Sequence, residues 1–374
     1  MKPTIIAVSS LLAGSATAGA SCKPVSFSVP VKAENLVINP SPDPNNATDI
    51  RNYLLANIQT GAPATGTAII SDTYTIKATF CEPPAGVKHK GVLQFLVHGA
   101  TYNKSLWDGL GFGQDTYDWQ LFATSRGYHT LAIDRLGHGE NPQHPEPLAI
   151  VQGQIQIELM HNIVKGLKDG SFSSVPGGKY HRIAWVGHSY GSLTASHLAA
   201  EYPSAVDAFV LTGFSSNLSF PLATLNDLQS AAVTSPRFKD LPLGYVTSTT
   251  AAGRIAGFFA GGFDPAMGQW DFEHRDAVTL GEFLTPAILP ASHTPYTGPV
   301  LVVTGDQDGI FCPSGVAECP ATLAKTGTDV FPKSSRYDFF VVPDAGHCLS
   351  LHYTAPVAFK TTHDWLDKVF ANYS

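Results

Sequence analysis

The chain has 374 residues, 44% of them hydrophobic and 14% charged, which excludes a disordered or fibrous protein and leaves material for a large core. A formal net charge of -7 at pH 7, with no long run of Lys or Arg, gives no electrostatic footprint for nucleic acid, and none is expected as a partner. Beyond the N-terminal segment, no uncharged apolar stretch reaches the roughly 20 residues of a transmembrane helix, so the mature chain is expected to lack one.

Residues 1–20, MKPTIIAVSSLLAGSATAGA, place one lysine before an apolar centre and end in small residues. This pattern predicts a secretory signal peptide cleaved after Ala18 or Ala20, and hence an extracellular protein. A lipoprotein signal ending at Cys22 fits less well, because Gly19 stands where its cleavage box wants leucine. Five cysteines remain, Cys22, Cys81, Cys312, Cys319 and Cys348, and an oxidising compartment makes disulfides the default. Cys312 with Cys319 is the easiest loop to close, Cys22 with Cys81 then pins the N-terminus, and Cys348 is left over. Asn46, Asn103, Asn217 and Asn372 head N-x-S/T sequons, which agree with a secretory route.

Residues 22–83 carry short β-rich runs broken by Pro, Asn and Gly, which predicts an N-terminal antiparallel meander. After it come nearly continuous apolar runs at 92–97, 130–133, 183–186, 208–211, 300–303 and 339–342, the pattern of strands buried on both faces. Helical spacing over 151–168 and 193–201 alternates with them, so the expected fold class is α/β, a parallel sheet with helices on both sides. Residues 215–297 break the rhythm without strand signals and are expected to form a mainly helical insertion between core segments 21–214 and 298–374.

Gly187-His188-Ser189-Tyr190-Gly191 directly follows one of the apolar runs and precedes a helical stretch. Strand, sharp turn and helix is the context in which a G-x-S-x-G motif exposes its serine at a helix N-terminus, where developing negative charge is favoured. Serine is a weak nucleophile alone and needs a neighbouring base. His347 follows the last apolar run, where a loop leaves the C-terminal edge of the sheet and catalytic groups gather. An acid to orient it is expected between the two in the chain, and the run 301–308 offers Asp306 and Asp308. Asp308, further into the loop, is the preferred one. The backbone N–H groups of Tyr190 and Ala100 are the candidate oxyanion donors, the second from the loop His98-Gly99-Ala100. The His98 side chain itself is read as stabilising that turn.

These motifs, in this order, resemble the α/β-hydrolase superfamily: His98-Gly99, the turn Asp134-Arg135-Leu136-Gly137-His138-Gly139, the elbow at Ser189, the acid loop at Asp308, and Gly346-His347. The resemblance implies an eight-stranded, mostly parallel sheet, a cap formed by 215–297, and structural roles for Asp134 and His138. Serine at the elbow departs from the epoxide hydrolases and haloalkane dehalogenases, which place aspartate there. His-Gly-Ala-Thr departs from the His-Gly-Gly-Gly of hormone-sensitive-lipase-like esterases.

Neither C-x-x-C nor H-E-x-x-H occurs, so no metal is expected, and Gly111-x-Gly113 lacks the third glycine of a phosphate loop, so no cofactor is expected either. The expected reaction is hydrolysis of a small-molecule carboxylic ester through an acyl-enzyme on Ser189. A lactonase with the same residues, and a non-catalytic binding protein on the same fold, are the alternatives. Aromatics in and beside the insertion, Phe214, Phe220, Tyr245, Phe258, Phe259, Phe263, Trp270, Phe272 and Phe283, either line a site for an apolar or aromatic substrate or simply pack the cap.

Overall fold

The computed structural model describes residues 21–371 apart from 86, 89, 90 and 114; the expected signal peptide and the sequon at Asn372 lie outside these residues. Two long strands begin the fold, β1 (Ser21–Ile38) and β2 (Ala64–Glu82), paired antiparallel from Ser21↔Glu82 onward. Val25, Phe27, Val29, Val31 and Ala33 alternate onto the buried face of β1, the period of a half-buried strand. The pair is a single hairpin rather than a meander, and its connection carries helix α1 (Ala47–Asn57). The signal for α1 is Asn46, whose side chain accepts from Thr48 N and Asp49 N at 3.1 Å and so caps it.

The chain continues through β3 (Val92–Val97), α2 (Trp119–Ser125), β4 (His129–Ile133), α3 (Gly153–Asp169), β5 (Arg182–His188), α4 (Tyr190–Glu201) and β6 (Ala208–Thr212). These strands join one eight-stranded sheet of order β1-β2-β4-β3-β5-β6-β10-β11, completed after residue 297 by β10 (Pro299–Gly305) and β11 (Arg336–Val342). Every pairing from β4 to β11 is parallel, and only β1 with β2 and β2 with β4 run antiparallel. All residues of β3 and β6 are buried, which is why their sequences read as nearly continuous apolar runs, with Gln94 and Thr212 as the polar members. Parallel pairing aligns the C-terminal ends of β3, β5, β10 and β11, and the loops leaving them gather at one edge of the sheet.

Residues 215–297 hold helices α5 (Leu222–Asn226), α6 (Ala231–Thr234), α7 (Ala251–Phe258), α8 (Pro265–His274) and α9 (Leu280–Leu284). They also hold a three-stranded antiparallel sheet of β7 (Leu228–Ser230), β8 (Tyr245–Ser248) and β9 (Val278–Thr279), which the sequence reading lacked. Its strands are too short for a period-two signal. Their hydroxyl-bearing residues are satisfied internally, as when Thr247 Oγ1 donates to Asp276 O at 2.7 Å. Helices α10 (Cys319–Val330) and α11 (Ala355–Val369) complete the core. Disulfides join Cys22 to Cys81 and Cys312 to Cys319, and Cys348 is free and buried, as the spacing suggests. Among the described residues no helix is long and apolar enough to cross a membrane.

Candidate active site

Ser189 stands between β5 and α4 with φ 52° and ψ −115°, a strained conformation for a residue with a Cβ. The surrounding backbone holds it: Ser189 N donates to Thr212 O at 2.9 Å, and Ser189 O accepts from Ser192 N and Leu193 N in the first turn of α4. Glycine is required beside it. A Cβ on Gly191 would lie 2.1 Å from Val97 O, and one on Gly99 would lie 2.9 Å from Ser189 Cβ, so the end of β3 meets the turn with no space for either.

His347, in the loop after β11, is buried with its Nδ1 2.9 Å from Asp308 Oδ2. The other oxygen of that fully buried carboxylate accepts from Ile310 N at 2.9 Å and Phe311 N at 3.0 Å. An ionised carboxylate only accepts, so Nδ1 carries the proton and Nε2 is left as the basic nitrogen. Asp306 faces elsewhere, accepting from Ala345 N at 3.2 Å. The hydrogen bonds among the described residues do not include one from Ser189 Oγ to His347; such contacts commonly tighten only when substrate is bound. His347 borders the wall of the cavity that Ser189 lines. Phe258 and Phe311 flank the His347 ring at centroid distances of 5.6 and 5.7 Å, and both line the cavity that also contains Ser189, Tyr190 and Ala100.

The loop after β3 has a fixed peptide orientation. Burial and the neighbouring Arg135 and His138 hold the His98 imidazole well below its ordinary pKa, so it is neutral. Its Nε2 accepts from Arg135 N at 3.1 Å, which leaves Nδ1–H to donate to Gly99 O at 2.8 Å, joined there by Arg135 Nη2 at 3.3 Å. Gly99 C=O and Ala100 N–H belong to one planar trans peptide, so fixing the carbonyl turns the N–H the opposite way. The Arg135 guanidinium also lies 4.5 Å from the centroid of the Tyr190 ring and is paired with Glu282 of α9. One buried cation therefore touches the Gly99 carbonyl of the peptide that carries the Ala100 N–H, and the ring of Tyr190. The sequence locates Arg135 in the turn after β4 but gives it no role, and its only local signal for Glu282 is Thr279-x-x-Glu282, which forms a capping box at the start of α9.

The rest of the cavity is mainly apolar. Leu193, Leu218, Phe220, Leu225, Phe283, Ile288 and Ile310 line it together with Thr101 and Thr224, and among the described residues no charged side chain does. Of the aromatics in and beside the 215–297 segment, Phe220, Phe258 and Phe283 are in this wall. Phe259 packs on Phe263 and His352, and Trp270 donates Nε1 to Leu110 O at 2.9 Å. No group of three or more His, Cys, Asp or Glu arranged to hold a metal ion occurs among the described residues.

No curated protein matches the sequence closely enough to be called a relative. Among solved structures, a soluble variant of the monoglyceride lipase from Saccharomyces cerevisiae superposes with a TM-score of 0.55 at 15% identity, over 79% of this chain and 92% of the lipase. A thermophilic esterase from Thermogutta terrifontis gives 0.48 at 16%, over 83% and 97%, and the enol-lactonase from Burkholderia xenovorans LB400 gives 0.48 at 16%, over 78% and 96%. At these identities the likeness is one of fold. The model of the alpha/beta hydrolase family matches residues 94–360, from within β3 to within α11, and the chain belongs to that family.

Proposed function

We propose that the protein is a secreted carboxylic ester hydrolase acting on a neutral, apolar or aromatic small molecule, with Ser189 as nucleophile, His347 as base and Asp308 as its orienting acid. The observation that carries this reading is a strained serine lining one mainly apolar cavity with Tyr190 and Ala100, and a histidine, packed on two rings of that wall, whose Nδ1 lies 2.9 Å from a buried carboxylate. In the first half-reaction Ser189 Oγ attacks the ester carbonyl carbon while His347 Nε2 takes the hydroxyl proton. The Ala100 and Tyr190 N–H groups receive the negative oxygen of the tetrahedral species. As the C–O bond to the alcohol breaks, His347 returns the proton to the departing oxygen, leaving an acyl group on Ser189. Water then repeats the sequence and releases the acid. Asp308 stays ionised throughout and holds the imidazole.

The 215–297 segment is proposed as a cap, since Leu218, Phe220, Leu225, Phe258 and Phe283 of the cavity wall belong to it. Secretion is supported by the N-terminal pattern of the sequence and by the two disulfides. A panel of p-nitrophenyl esters and lactones, assayed with the parent and with Ser189→Ala, tests the reading. Ester hydrolysis by the parent that disappears in the variant is expected; activity surviving in Ser189→Ala would overturn it.

A further inference from the structure

Arg254 of α7 is fully buried, and its guanidinium is divided between an acid of its own segment and the loop that follows β3. Nε and Nη2 donate to Asp271 Oδ2 and Oδ1 at 2.5 and 3.1 Å, a fork that occupies both oxygens of an equally buried carboxylate. Nη1 donates to Thr101 Oγ1 at 2.9 Å, and Nη2 reaches Thr101 O at 3.5 Å. Thr101 directly follows Ala100 and has φ 59°, a left-handed conformation that a β-branched residue keeps only when its surroundings impose it. Apart from its own hydroxyl, which donates to Ala100 O at 2.7 Å, the groups bonded to Thr101 come from the 215–297 segment. Besides Arg254, Asp276 N donates to Thr101 O at 2.8 Å. The same cation lies 4.6 Å from the Tyr102 ring centroid and 4.8 Å from that of Phe258, the residue beside His347.

We propose that Arg254, oriented by Asp271, is a positioning residue for the reaction: it imposes the conformation of Thr101 and thereby aims the Ala100 N–H at the oxyanion. The inference rests on the ester-hydrolase reading, and it makes the 215–297 segment a support of the chemistry as well as a cover. Displacement of a reacting or stabilising group by about 1 Å costs on the order of 10²-fold in rate, so loss of the anchor acts on turnover more than on binding. Lysine is not equivalent here, because only a planar fork reaches both Asp271 oxygens and Thr101 together.

Removing one member of a buried ion pair strands the other, so the test replaces both: Arg254→Met/Asp271→Leu leaves no buried charge unpaired. kcat and KM on p-nitrophenyl butyrate are measured together with the rate at which a fluorophosphonate labels Ser189. The double variant is expected to fold, to keep KM within about threefold, and to lose about 10- to 100-fold in both kcat and labelling rate. Thr101→Ala should show the same split and Thr101→Ser should recover the parent's values; both leave the ion pair intact, so they decide the matter should the double variant not fold. Parent-like kcat and labelling in Thr101→Ala, or in a folded double variant, would overturn the proposal, as would a raised KM with unchanged kcat, the mark of wall packing. A parent chain neither labelled at Ser189 nor active on the ester would show instead that the reaction is wrong, and the role of Arg254 falls with it.

Discussion

Asp308 Oδ2 lies 2.9 Å from His347 Nδ1, and the remaining oxygen of Asp308 is saturated by the N–H groups of Ile310 and Phe311. Backbone donors fix the acid, and the acid fixes the ring. Asp308→Asn is therefore expected to leave the fold intact and lower kcat by about 10³- to 10⁴-fold, because an amide favours the wrong imidazole tautomer. Asp306→Ala removes only a brace on Ala345 N and should stay within about tenfold of the parent. Steady-state kinetics on p-nitrophenyl esters, with circular dichroism as the folding control, check the pair. A folded Asp306→Ala that is the weaker enzyme would contradict the assignment.

Selectivity should follow the cavity wall. Phe220→Leu and Phe283→Leu enlarge it and are expected to shift the preference toward bulkier acyl groups, by about tenfold for each 1.4 kcal/mol change in transition-state stabilisation. Trp270→Leu, placed against Leu110 and His274, should leave the preference unchanged. Ratios of kcat/KM across an acyl-length series report this directly.

The main sheet and the elbow were readable because their signals are local. Strands buried on both faces, such as Val92–Val97, leave nearly continuous apolar runs, and Ser189 with its flanking glycines reports a close approach of backbones. In the candidate oxyanion loop, the support from His98 was readable and those from Arg135 and Arg254 were not. Arg135 meets Glu282 across 147 positions, and Arg254 meets Asp271 across a loop between two helices, so neither pairing follows from spacing. Aromatic content likewise left the orientation of each ring undetermined: Phe258 faces the cavity while its neighbour Phe259 turns to His352.

Glu282 makes stability depend on acid. Burial raises its pKa, but Arg135 and His138 outweigh burial, and the Thr279 N–H adds to their effect, pulling it from an ordinary 4.5 down to about 2. The folded value is the lower one, so this carboxylate contributes fully above about pH 4.5 and its contribution is lost as pH falls toward 2. Glu282→Gln should lose about 3–5 kcal/mol at pH 7, since Arg135 is left buried without its partner, and should flatten the acid limb of stability. Urea unfolding at pH 7, 4 and 3 tests this; an acid limb as steep in the variant as in the parent would contradict it.

If the chain is secreted through a glycosylating pathway, its sequons should not be used equally. Asn46 and Asn217 are exposed, whereas the Asn103 side chain accepts from Ser105 N and donates to Asp276 Oδ2 at 3.1 Å. Glycopeptide mapping is expected to find glycans at Asn46 and Asn217 and none at Asn103. A glycan on Asn103 would mean that this loop forms only after the modification.

The central claim is that Ser189 is a nucleophile activated by His347, and covalent labelling by a fluorophosphonate followed by peptide mapping tests it most directly. The parent should be labelled stoichiometrically at Ser189, while folded His347→Ala should be labelled more slowly by about 10³-fold or more. A folded parent that remains unlabelled at Ser189, or a His347→Ala variant labelled at the parent's rate, would contradict the account.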